Sequence, residues 1–345
     1  MRVAKFVEAG ELLSVGEAPV PSTRVNDLIL KVKACGICGS DLHMSDVHNH
    51  EGAMTPLSKG TVMGHEFCGE VVDIGPAVNQ NFKIGDRVTA LPFIGCGACV
   101  YCLSGSGHRC SEVVYTGLGA ESGGYAEFVR ASPIETIKLP EGVDWKTGAL
   151  VEPLAVGLHS VKMAKLVAGD RVLILGAGPV GLAVALWCRY FGANHVIVSD
   201  FVPERLSVAE SLGATAVING LKEDVVGSFK KEVGSRPNVI LECVGVPGTQ
   251  QMAMNFAPAG GRIVVVGVCM APDTILPVKA ITKELQVNYV FMYQRSDFEL
   301  TIDLLNRGLI DPSPLISDSV GFDDFSKTFD KLKTDKTACK VLLQP

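Results

Sequence analysis

The chain has 345 residues, of which 47% are hydrophobic, and its formal net charge at pH 7 is −6. Because single hydrophobic cores stop growing at about 250–300 residues, this length predicts two domains. The acidic balance argues against a nucleic-acid partner, which would need a basic face, and no run of about 18 apolar residues predicts a membrane span. The N-terminal stretch lacks a signal-peptide pattern, so we expect a soluble, cytoplasmic protein.

The first part of the chain predicts a β domain. Three short apolar runs, at 28–38, 69–75 and 86–93, are separated by turn residues and are typical of strands. Amphipathic helical patterns are scarce up to about residue 150. We therefore expect this part of the chain to be all-β.

From Glu152 onward the pattern changes to strands that alternate with helices. The predicted strands are 171–176, 195–200, 215–219, 238–245, 262–268, 285–292 and 340–344. The predicted helices are 178–192, 203–213, 248–258 and 297–310. Apolar strands that alternate with helices indicate a parallel sheet covered on both faces, so the predicted fold class of the whole chain is α/β plus β.

A glycine-rich turn links the first strand and helix of this second part. GAGPVG, Gly176–Gly181, fits G-x-G-x-x-G, follows a strand and begins a helix, which is the context of a dinucleotide-binding turn. Gly176 would permit the tight turn, Gly178 the approach of a pyrophosphate, and Gly181 the close packing of helix on strand. The alternative is a glycine-rich turn that binds no cofactor.

The cofactor is predicted to be NAD. Asp200 ends the next strand, where its carboxylate would accept hydrogen bonds from the adenosine ribose and repel a 2′-phosphate. Arg205, five residues later, offers a cation that suits NADP, so that cofactor stays open as the alternative. The predicted cofactor contacts are Gly176, Gly178, Pro179, Val180, Gly181, Asp200, Arg205, Val244 and Val268.

Four of the 11 cysteines lie in one loop, at Cys96, Cys99, Cys102 and Cys110. An odd number of cysteines in a long chain favours metal sites and buried thiols over a disulfide framework. Four thiolates fill every position around a tetrahedral Zn²⁺, which predicts a structural zinc site, and an iron–sulfur cluster is the chemical alternative. His108 in the same loop is expected to be solvated rather than a ligand.

A second set of metal-ligand candidates is spread over three segments. GICGSD supplies Cys38, GHE supplies His65 and Glu66, and VEPLAVG supplies Glu152 at the junction of the two halves. A lone cysteine or a lone His–Glu pair is usually structural. Three protein ligands with an open fourth position, by contrast, form a catalytic zinc site.

Five motifs follow one another along the chain in the order GICGSD, GHE, the four-cysteine loop, EPLAVG and GAGPVG. Together they resemble the zinc-containing medium-chain dehydrogenase/reductase family, and they are most similar to its sorbitol, butanediol and threonine dehydrogenase branch. The resemblance covers essentially the whole chain. It implies a GroES-like β catalytic domain, residues 1–154 and 292–345, with an inserted doubly wound Rossmann domain, residues 155–291. It also implies a homo-oligomer, either a dimer or a tetramer.

The resemblance further implies how the candidate ligands are used. Cys38, His65 and Glu66 would lie near one catalytic zinc, with Glu152 as an exchangeable ligand or a neighbour of the ligands. The loop cysteines would hold one structural zinc. The implied reaction is the oxidation of an alcohol by NAD, in which zinc lowers the pKa of the alcohol and a hydride passes to the nicotinamide.

The proton released by the alcohol needs a path to solvent. Ser40, two residues after Cys38, would receive it, and His43 would pass it on because imidazole titrates near neutral pH. The alternatives are a turn hydroxyl for Ser40 and a packing or surface imidazole for His43. His48 and His50 fall in a stretch that is predicted to be a mobile loop, and they receive no role.

Two departures from the sorbitol dehydrogenase pattern bear on the substrate. Met44 stands where that branch has an aromatic hydroxyl, and Met292 where it has an arginine. Without those donors we expect a secondary alcohol or vicinal diol, or the corresponding ketone, unless both methionines face the core. The alternatives are a sorbitol-like polyol dehydrogenase, an L-threonine dehydrogenase and a non-catalytic cofactor-binding protein.

Overall fold

The computed structural model describes residues 1–46, 57–79, 81–119 and 121–345. The strands are β1 (Arg2–Lys5), β2 (Ser14–Glu17), β3 (Leu28–Gly36), β4 (Glu66–Ile74), β5 (Arg87–Ala90), β6 (Phe93–Ile94), β7 (Val114–Tyr115), β8 (Phe128–Ala131), β9 (Thr136–Lys138), β10 (Arg171–Leu175), β11 (His195–Asp200), β12 (Ala216–Asn219), β13 (Val239–Glu242), β14 (Arg262–Val265), β15 (Gln286–Tyr289), β16 (Ile316–Val320) and β17 (Lys340–Leu343). The helices are α1 (Gly39–Met44), α2 (Val100–Leu103), α3 (Trp145–Ala149), α4 (Val151–Met163), α5 (Pro179–Tyr190), α6 (Pro203–Ser211), α7 (Val225–Val233), α8 (Thr249–Phe256), α9 (Pro277–Ile281), α10 (Arg295–Asn306) and α11 (Phe322–Thr334). No helix in the described part of the chain has both the length and the apolar character that a membrane span requires.

The second part of the chain forms the parallel sheet that the sequence predicts. Its strand order is β12-β11-β10-β13-β14-β15, and every neighbouring pair is parallel. In β10 the side chains alternate between two cores, with Val172 and Ile174 in one and Leu173 and Leu175 in the other. Both faces of the sheet are therefore covered, which explains the unbroken apolar strands. The predicted doubly wound α/β fold is confirmed.

The other large sheet is mostly antiparallel and has the order β16-β17-β3-β4-β5-β9, with β8 beside β3. Because β16 and β17 join it, the C-terminal segment completes the sheet that the N-terminal residues begin. A β domain completed by the C-terminal segment, as the resemblance implies, is confirmed. The predicted domain limits fall inside α4 and just after β15, and these limits stay a prediction.

Some helices were not evident from periodicity. α4 begins at Val151, and its side chains are buried on nearly every face, which removes the one-sided pattern on which helix prediction depends. α11 does carry such a pattern, because Phe322, Phe325 and Phe329 are buried and its charged residues cover the other side. The N-terminal part, predicted to be all-β, also contains the short helices α1, α2 and α3.

Candidate metal and cofactor site

The register of two antiparallel strands brings the first metal-ligand candidates together. β3 and β4 pair with Gly36 opposite Glu66, so Cys38 follows β3 at the edge where His65 precedes β4. One ligand atom from each of Cys38, His65 and Glu66 lies within 4.8 Å of the other two. His65 and Glu66 are buried, and Cys38 is half-buried.

Two glycines make room for this group. Gly64 of GHE has a φ of +96°, and a Cβ added there would lie 2.5 Å from the Tyr125 ring. A Cβ added at Gly36, the first glycine of GICGSD, would overlap Oε2 of Glu66. Both glycines are therefore required by close contacts with the buried groups around the site.

The aspartate of GICGSD orients two of the candidate ligands, a role that its sequence position did not suggest. Oδ1 of Asp41 lies 3.3 Å from Nδ1 of His65. Oδ2 accepts hydrogen bonds from the Cys38 amide at 3.2 Å and from the Tyr125 hydroxyl at 2.6 Å. Because Nδ1 of His65 faces a carboxylate, its Nε2 is left for a metal, which is the usual arrangement of histidine ligands.

A buried lysine from the end of the chain reaches the same group. Lys340 is 1% exposed, and its Nζ lies 2.6 Å and 2.7 Å from the two carboxylate oxygens of Glu66. The same Nζ donates to the Ile37 carbonyl at 2.9 Å. Burial acts to lower the pKa of Lys340, but the charges of Glu66 and Cys38 raise it above its ordinary value. Sequence alone does not reveal this role, because lysine in a terminal strand is typical of an exposed edge.

The chemistry of the group fits a zinc ion. Thiolate, imidazole and carboxylate are the donor types that Zn²⁺ binds. Burial acts to lower the pKa of His65, but the negative charges of Asp41 and Cys38 raise it well above its ordinary value. Among the described residues, Oδ1 of Asp41 and Nδ1 of His65 are also buried atoms without a well-formed hydrogen bond. A bound dication would balance this negative charge and hold the imidazole in place.

Glu152 lies near this ligand group but outside it. It occupies the first turn of α4, and its Oε1 accepts a hydrogen bond of 2.6 Å from the Tyr293 hydroxyl. Burial raises the pKa of Glu152 to about 7, although the charge of nearby His65 acts to lower it. Within the described ranges, the group of ligand atoms within 4.8 Å of one another does not include Glu152. The structure therefore makes Glu152 a neighbour of the ligands.

The two candidates for the proton path lie one turn apart on α1. Ser40 is half-buried and His43 is exposed. Although His43 is exposed as a whole residue, partial desolvation of its ring and the positive charge of Lys336 lower its pKa, so its imidazole is neutral near pH 7. His48 and His50 lie outside the described residues.

The two methionines behind the substrate prediction have different environments. Met44 is 6% exposed and packs in the core of the antiparallel domain, so it carries no argument about the substrate. Met292 is half-buried, with a left-handed backbone at φ +56°. It directly precedes Tyr293, which contacts Glu152. Met292 also packs against a buried core, so both methionines contact core residues.

The four loop cysteines come together in a segment that we call the four-cysteine lobe, residues 95–113. Their sulfur atoms all lie within 4.8 Å of one another, and Sγ of Cys102 is 4.0 Å from that of Cys96 and 3.6 Å from that of Cys99. Sulfurs about 2.3 Å from a central Zn²⁺ would be about 3.8 Å apart in a regular tetrahedron. The four thiols therefore fit a closed zinc site.

His108 is buried in the four-cysteine lobe, so the prediction that it is solvated is wrong. It is 6% exposed, and its ring stands edge-on to Phe93 with the ring centroids 6.1 Å apart. Burial lowers the pKa of His108 to about 4, so the imidazole is neutral and can pack against apolar groups. Its polar side chain suggested exposure, whereas the fold of the lobe decided its burial.

Replacing Cys102 by serine should remove the zinc of the four-cysteine lobe. The chain is expected to lose about one zinc ion, and its free energy of unfolding is expected to fall by at least about 2 kcal/mol, because metal binding contributes directly to the stability of a closed site. Zinc analysis and urea unfolding would check this result. Leu103→Ser, which changes an adjacent side chain that is 75% exposed, is the matched control. Full zinc content in the Cys102 variant would contradict the proposed role.

The glycine turn has the geometry of a dinucleotide-binding turn. Gly176 has a φ of +96°, and a Cβ added at Gly181 would overlap the Gly176 carbonyl. The position where a Cβ would stand at Gly178 is open, with Nη1 of Arg205 as its nearest contact at 4.0 Å. α5 begins immediately afterwards with Pro179, which has no N–H, so the first amide donors that face this open turn are those of Val180 and Gly181.

Asp200 fastens the glycine turn to the end of β11. Its Oδ2 accepts a hydrogen bond of 2.6 Å from the Ala177 amide, and its Oδ1 accepts bonds from the amides of Phe201 and Val202 at 2.7 Å and 2.9 Å. A carboxylate has about four acceptor positions, so Asp200 retains capacity for a ribose hydroxyl. Val244 is 44% exposed, two residues after β13 ends.

One short segment connects the glycine turn to the metal-ligand group. Nη2 of Arg205 donates to the Ala338 carbonyl at 3.2 Å, while its Nη1 faces Gly178. Two residues later, Lys340 contacts Glu66. Val268 follows β14 and is 55% exposed. Like the other predicted cofactor residues, it lies on the carboxyl side of the parallel sheet. In α/β sheets this side is where ligands bind.

Comparison with known proteins agrees with this geometry. The family described as "Zinc-binding dehydrogenase" matches residues 179–307, and "Alcohol dehydrogenase GroES-like domain" matches residues 24–141. Sorbitol dehydrogenase of Bacillus subtilis is 30% identical over 336 residues, which cover 96% of this chain and 94% of that protein.

Solved structures of similar proteins cover the whole chain. A protein of Sinorhizobium meliloti, described as a zinc-binding dehydrogenase and bound to NADP, superposes with a TM-score of 0.89 at 32% identity, covering 100% of this chain and 99% of that one. The 2R,3R-butanediol dehydrogenase of Bacillus subtilis gives a TM-score of 0.88 at 30% identity, with the same coverage.

The match to the GroES-like family covers strands of the antiparallel sheet, and the match to the zinc-binding dehydrogenase family covers strands of the parallel sheet. The first match contains GICGSD, GHE and the four-cysteine loop, and the second begins within GAGPVG. Full-length similarity to dehydrogenases also covers the parts of the chain outside these two matches. The resemblance drawn from the motifs is therefore confirmed: the chain belongs to the zinc-binding dehydrogenase family and is an oxidoreductase of the zinc alcohol dehydrogenase type.

Proposed function

We propose that the chain is a zinc-requiring, NAD-dependent dehydrogenase that interconverts secondary alcohols, including vicinal diols, and the corresponding ketones. One observation carries this proposal. The ligand group of Cys38, His65 and Glu66 and the glycine turn are joined by residues 338–340, which contact Arg205 on one side and Glu66 on the other. A substrate held at the first site would therefore lie beside a cofactor held at the second.

The donor types in the ligand group indicate which residues would bind the metal and which would hold those ligands in place. In this proposal Cys38, His65 and Glu66 hold a Zn²⁺ that acts as a Lewis acid and lowers the pKa of an alcohol. When bound, NAD would supply the hydride acceptor. Asp41 holds the imidazole of His65, and Lys340 holds the carboxylate of Glu66 with two hydrogen bonds. Glu66 is thereby shared between a metal and a lysine, so we propose that Cys38 and His65 are the firmer ligands.

The residues on α1 would carry the proton away. We propose that Oγ of Ser40 accepts the proton of the substrate hydroxyl while its own hydroxyl proton passes to the neutral imidazole of His43, which releases it to solvent. The half-buried position of Ser40 and the exposure of His43, one turn later, support this direction of transfer. Because partial desolvation of the ring and the charge of Lys336 lower the pKa of His43, a neutral imidazole is available to receive the proton near pH 7.

NAD is the proposed cofactor because of Asp200. Its carboxylate stands at the end of β11, where a negative charge would accept hydrogen bonds from a ribose and repel a 2′-phosphate. Arg205 is the feature that favours NADP instead. Its guanidinium is already bonded to the Ala338 carbonyl, which supports the assignment to NAD.

The proposed substrate class rests on two observations. The names of the similar proteins, sorbitol dehydrogenase and 2R,3R-butanediol dehydrogenase, refer to alcohols with neighbouring hydroxyl groups. Met292, beside Tyr293, packs against a buried core but stays half-exposed, and we propose that its apolar side chain borders the cleft, where it offers no hydrogen bond to additional hydroxyls. A small vicinal diol is therefore favoured over a polyol or L-threonine. Assembly into a dimer or tetramer stays a prediction.

A substrate panel tests this function. Butane-2,3-diol, butan-2-ol, sorbitol and L-threonine would each be mixed with NAD or with NADP, and formation of NADH or NADPH would be followed. Each reaction would be measured before and after treatment of the protein with a chelator. We expect the diol and the simple alcohol to react fastest, NAD to be preferred, and zinc to restore activity after chelation. Metal analysis is expected to find about two zinc ions per chain. Faster oxidation of sorbitol would reject the substrate class, and full activity without zinc would reject the mechanism.

A further inference from the structure

The four-cysteine lobe meets the start of α10 at two neighbouring residues, Gln294, whose Nε2 donates to Oγ of Ser106 at 3.4 Å, and Arg295. The amide of Arg295 donates to the Gly105 carbonyl at 3.1 Å. Its guanidinium donates to the Thr136 carbonyl at 3.3 Å and also to the Ile134 carbonyl. Ile134 contacts the lobe in turn, because a Cβ added at Gly97 would lie 2.9 Å from its side chain. Arg295 thus joins α10 both to the lobe and to the segment that supports it.

The segment just before Arg295 contacts Glu152, which neighbours the metal-ligand group. Tyr293 is completely buried, its hydroxyl donates to Glu152 at 2.6 Å, and its ring packs against Phe298 with centroids 4.9 Å apart. Met292 precedes it with a φ of +56°, a conformation that costs about 1 kcal/mol or more for a residue with a side chain. Such a backbone persists only where the residues around it are firmly held.

The other end of this segment is tied to the helix that carries Glu152. Asp297 accepts a hydrogen bond of 2.8 Å from the Gln294 amide. Its carboxylate also lies 3.2 Å from Nδ1 of His159 and 2.7 Å from Nζ of Lys162, both on α4. α4 and α10 are therefore joined independently of Arg295, and the contact that Arg295 adds comes from the side of the four-cysteine lobe.

We propose that Arg295 is a positioning residue for the reaction. Its guanidinium fastens the segment 293–297 to the carbonyls of Ile134 and Thr136, beside the four-cysteine lobe, and this attachment keeps the Tyr293 hydroxyl on the carboxylate of Glu152. The inference rests on the proposed function, since it assigns the lobe a part in shaping the cleft in addition to stability. Without Arg295, the left-handed turn at Met292 relaxes, Tyr293 turns away, and Glu152 loses its buried hydrogen-bond donor.

Arg295→Met tests the attachment, because it removes the donors to the carbonyls of Ile134 and Thr136. We expect kcat to fall roughly tenfold, with the KM for NAD unchanged, and backbone hydrogen exchange to become faster in residues 293–297 and in the first turn of α4. Arg295→Lys keeps a donor and is expected to recover most of kcat. The matched control is Glu299→Gln, which breaks only the exposed 2.9 Å pair with Arg295 and should behave as the unaltered chain.

The Tyr293→Phe variant tests whether Arg295 affects kcat through the Tyr293 hydroxyl. If Arg295 acts by holding Tyr293, Arg295→Met should lower kcat in the unaltered chain and add nothing in the Tyr293→Phe background. An equal loss in both backgrounds, or unchanged exchange in residues 293–297, would overturn the proposal. If Arg295→Met does not fold, Arg295→Gln replaces it in the same comparison. An unaltered chain without dehydrogenase activity would reject the proposed function, whereas the exchange measurement would still decide the attachment.

Discussion

Replacing Cys38 by serine is expected to lower kcat/KM by on the order of a thousandfold while the fold persists. Serine has nearly the shape of cysteine, but its hydroxyl stays protonated at neutral pH and is a poor zinc ligand. The Lewis acid contributes several kcal/mol to the transition state, and each 1.36 kcal/mol corresponds to about a factor of ten. Zinc content should fall by about one ion per chain, because the four-cysteine lobe keeps its own donors.

Three measurements check this result together: steady-state kinetics, metal analysis and thermal unfolding. Cys269→Ser is the matched control, since Cys269 lies outside both ligand groups and its thiol contacts only the Ala271 carbonyl among the described contacts. That variant should keep its activity and its zinc. If Cys38→Ser had no catalytic zinc and yet showed unaltered kinetics, the proposed mechanism would be wrong.

Replacing Lys340 by methionine should have the largest effect on stability. Methionine has a similar length and no charge, so the buried carboxylate of Glu66 would lose both hydrogen bonds to Nζ. Removing one partner of a buried ion pair costs about 3–5 kcal/mol, because the other charge is left without compensation. We expect that loss in the metal-free protein. The loss should be smaller with zinc bound, because the dication supplies a counter-charge for Glu66.

Urea unfolding with and without a chelator measures both effects of the Lys340 substitution. Lys340→Arg keeps the positive charge and should lose less stability than Lys340→Met. Lys333→Met is the matched control: Lys333 pairs with Asp330 at 3.3 Å, and because the Asp330 side chain is 46% exposed, water solvates its carboxylate when the pair is lost, so that the pair is worth about 1 kcal/mol or less. Equal stabilities of the Lys340 and Lys333 variants would show that Glu66 does not depend on Lys340.

The sequence was most informative where the cause of the structure is local. GAGPVG could be recognised because φ at Gly176 and the contact at Gly181 are steric requirements within six residues. The four loop cysteines were similarly evident, since their short spacing brings them together in almost any compact loop. The strands of the parallel sheet were visible from apolar runs, because helices cover both faces of that sheet.

The site depends on contacts between distant segments, and there the sequence was less informative. Asp41 belongs to the GICGSD motif, yet its contact with His65, at 3.3 Å, depends on the pairing of β3 with β4 and could not be read from the motif. Lys340 and Tyr293 carry no local signal at all. His108 has a polar side chain that suggested solvent exposure, whereas the packing of the lobe against Phe93 buries it.

By itself the sequence determined the family, the two sheets and the residue types available for metal and dinucleotide binding, because these follow from side-chain chemistry and short-range periodicity. Only the tertiary structure decided which charges face each other. The pairing of β3 with β4 and β17 places Lys340 on Glu66 across 274 residues, and α4 places Glu152 on Tyr293 across 141. Burial of charge is compensated by whichever partner the fold brings near, and spacing along the chain does not encode that partner.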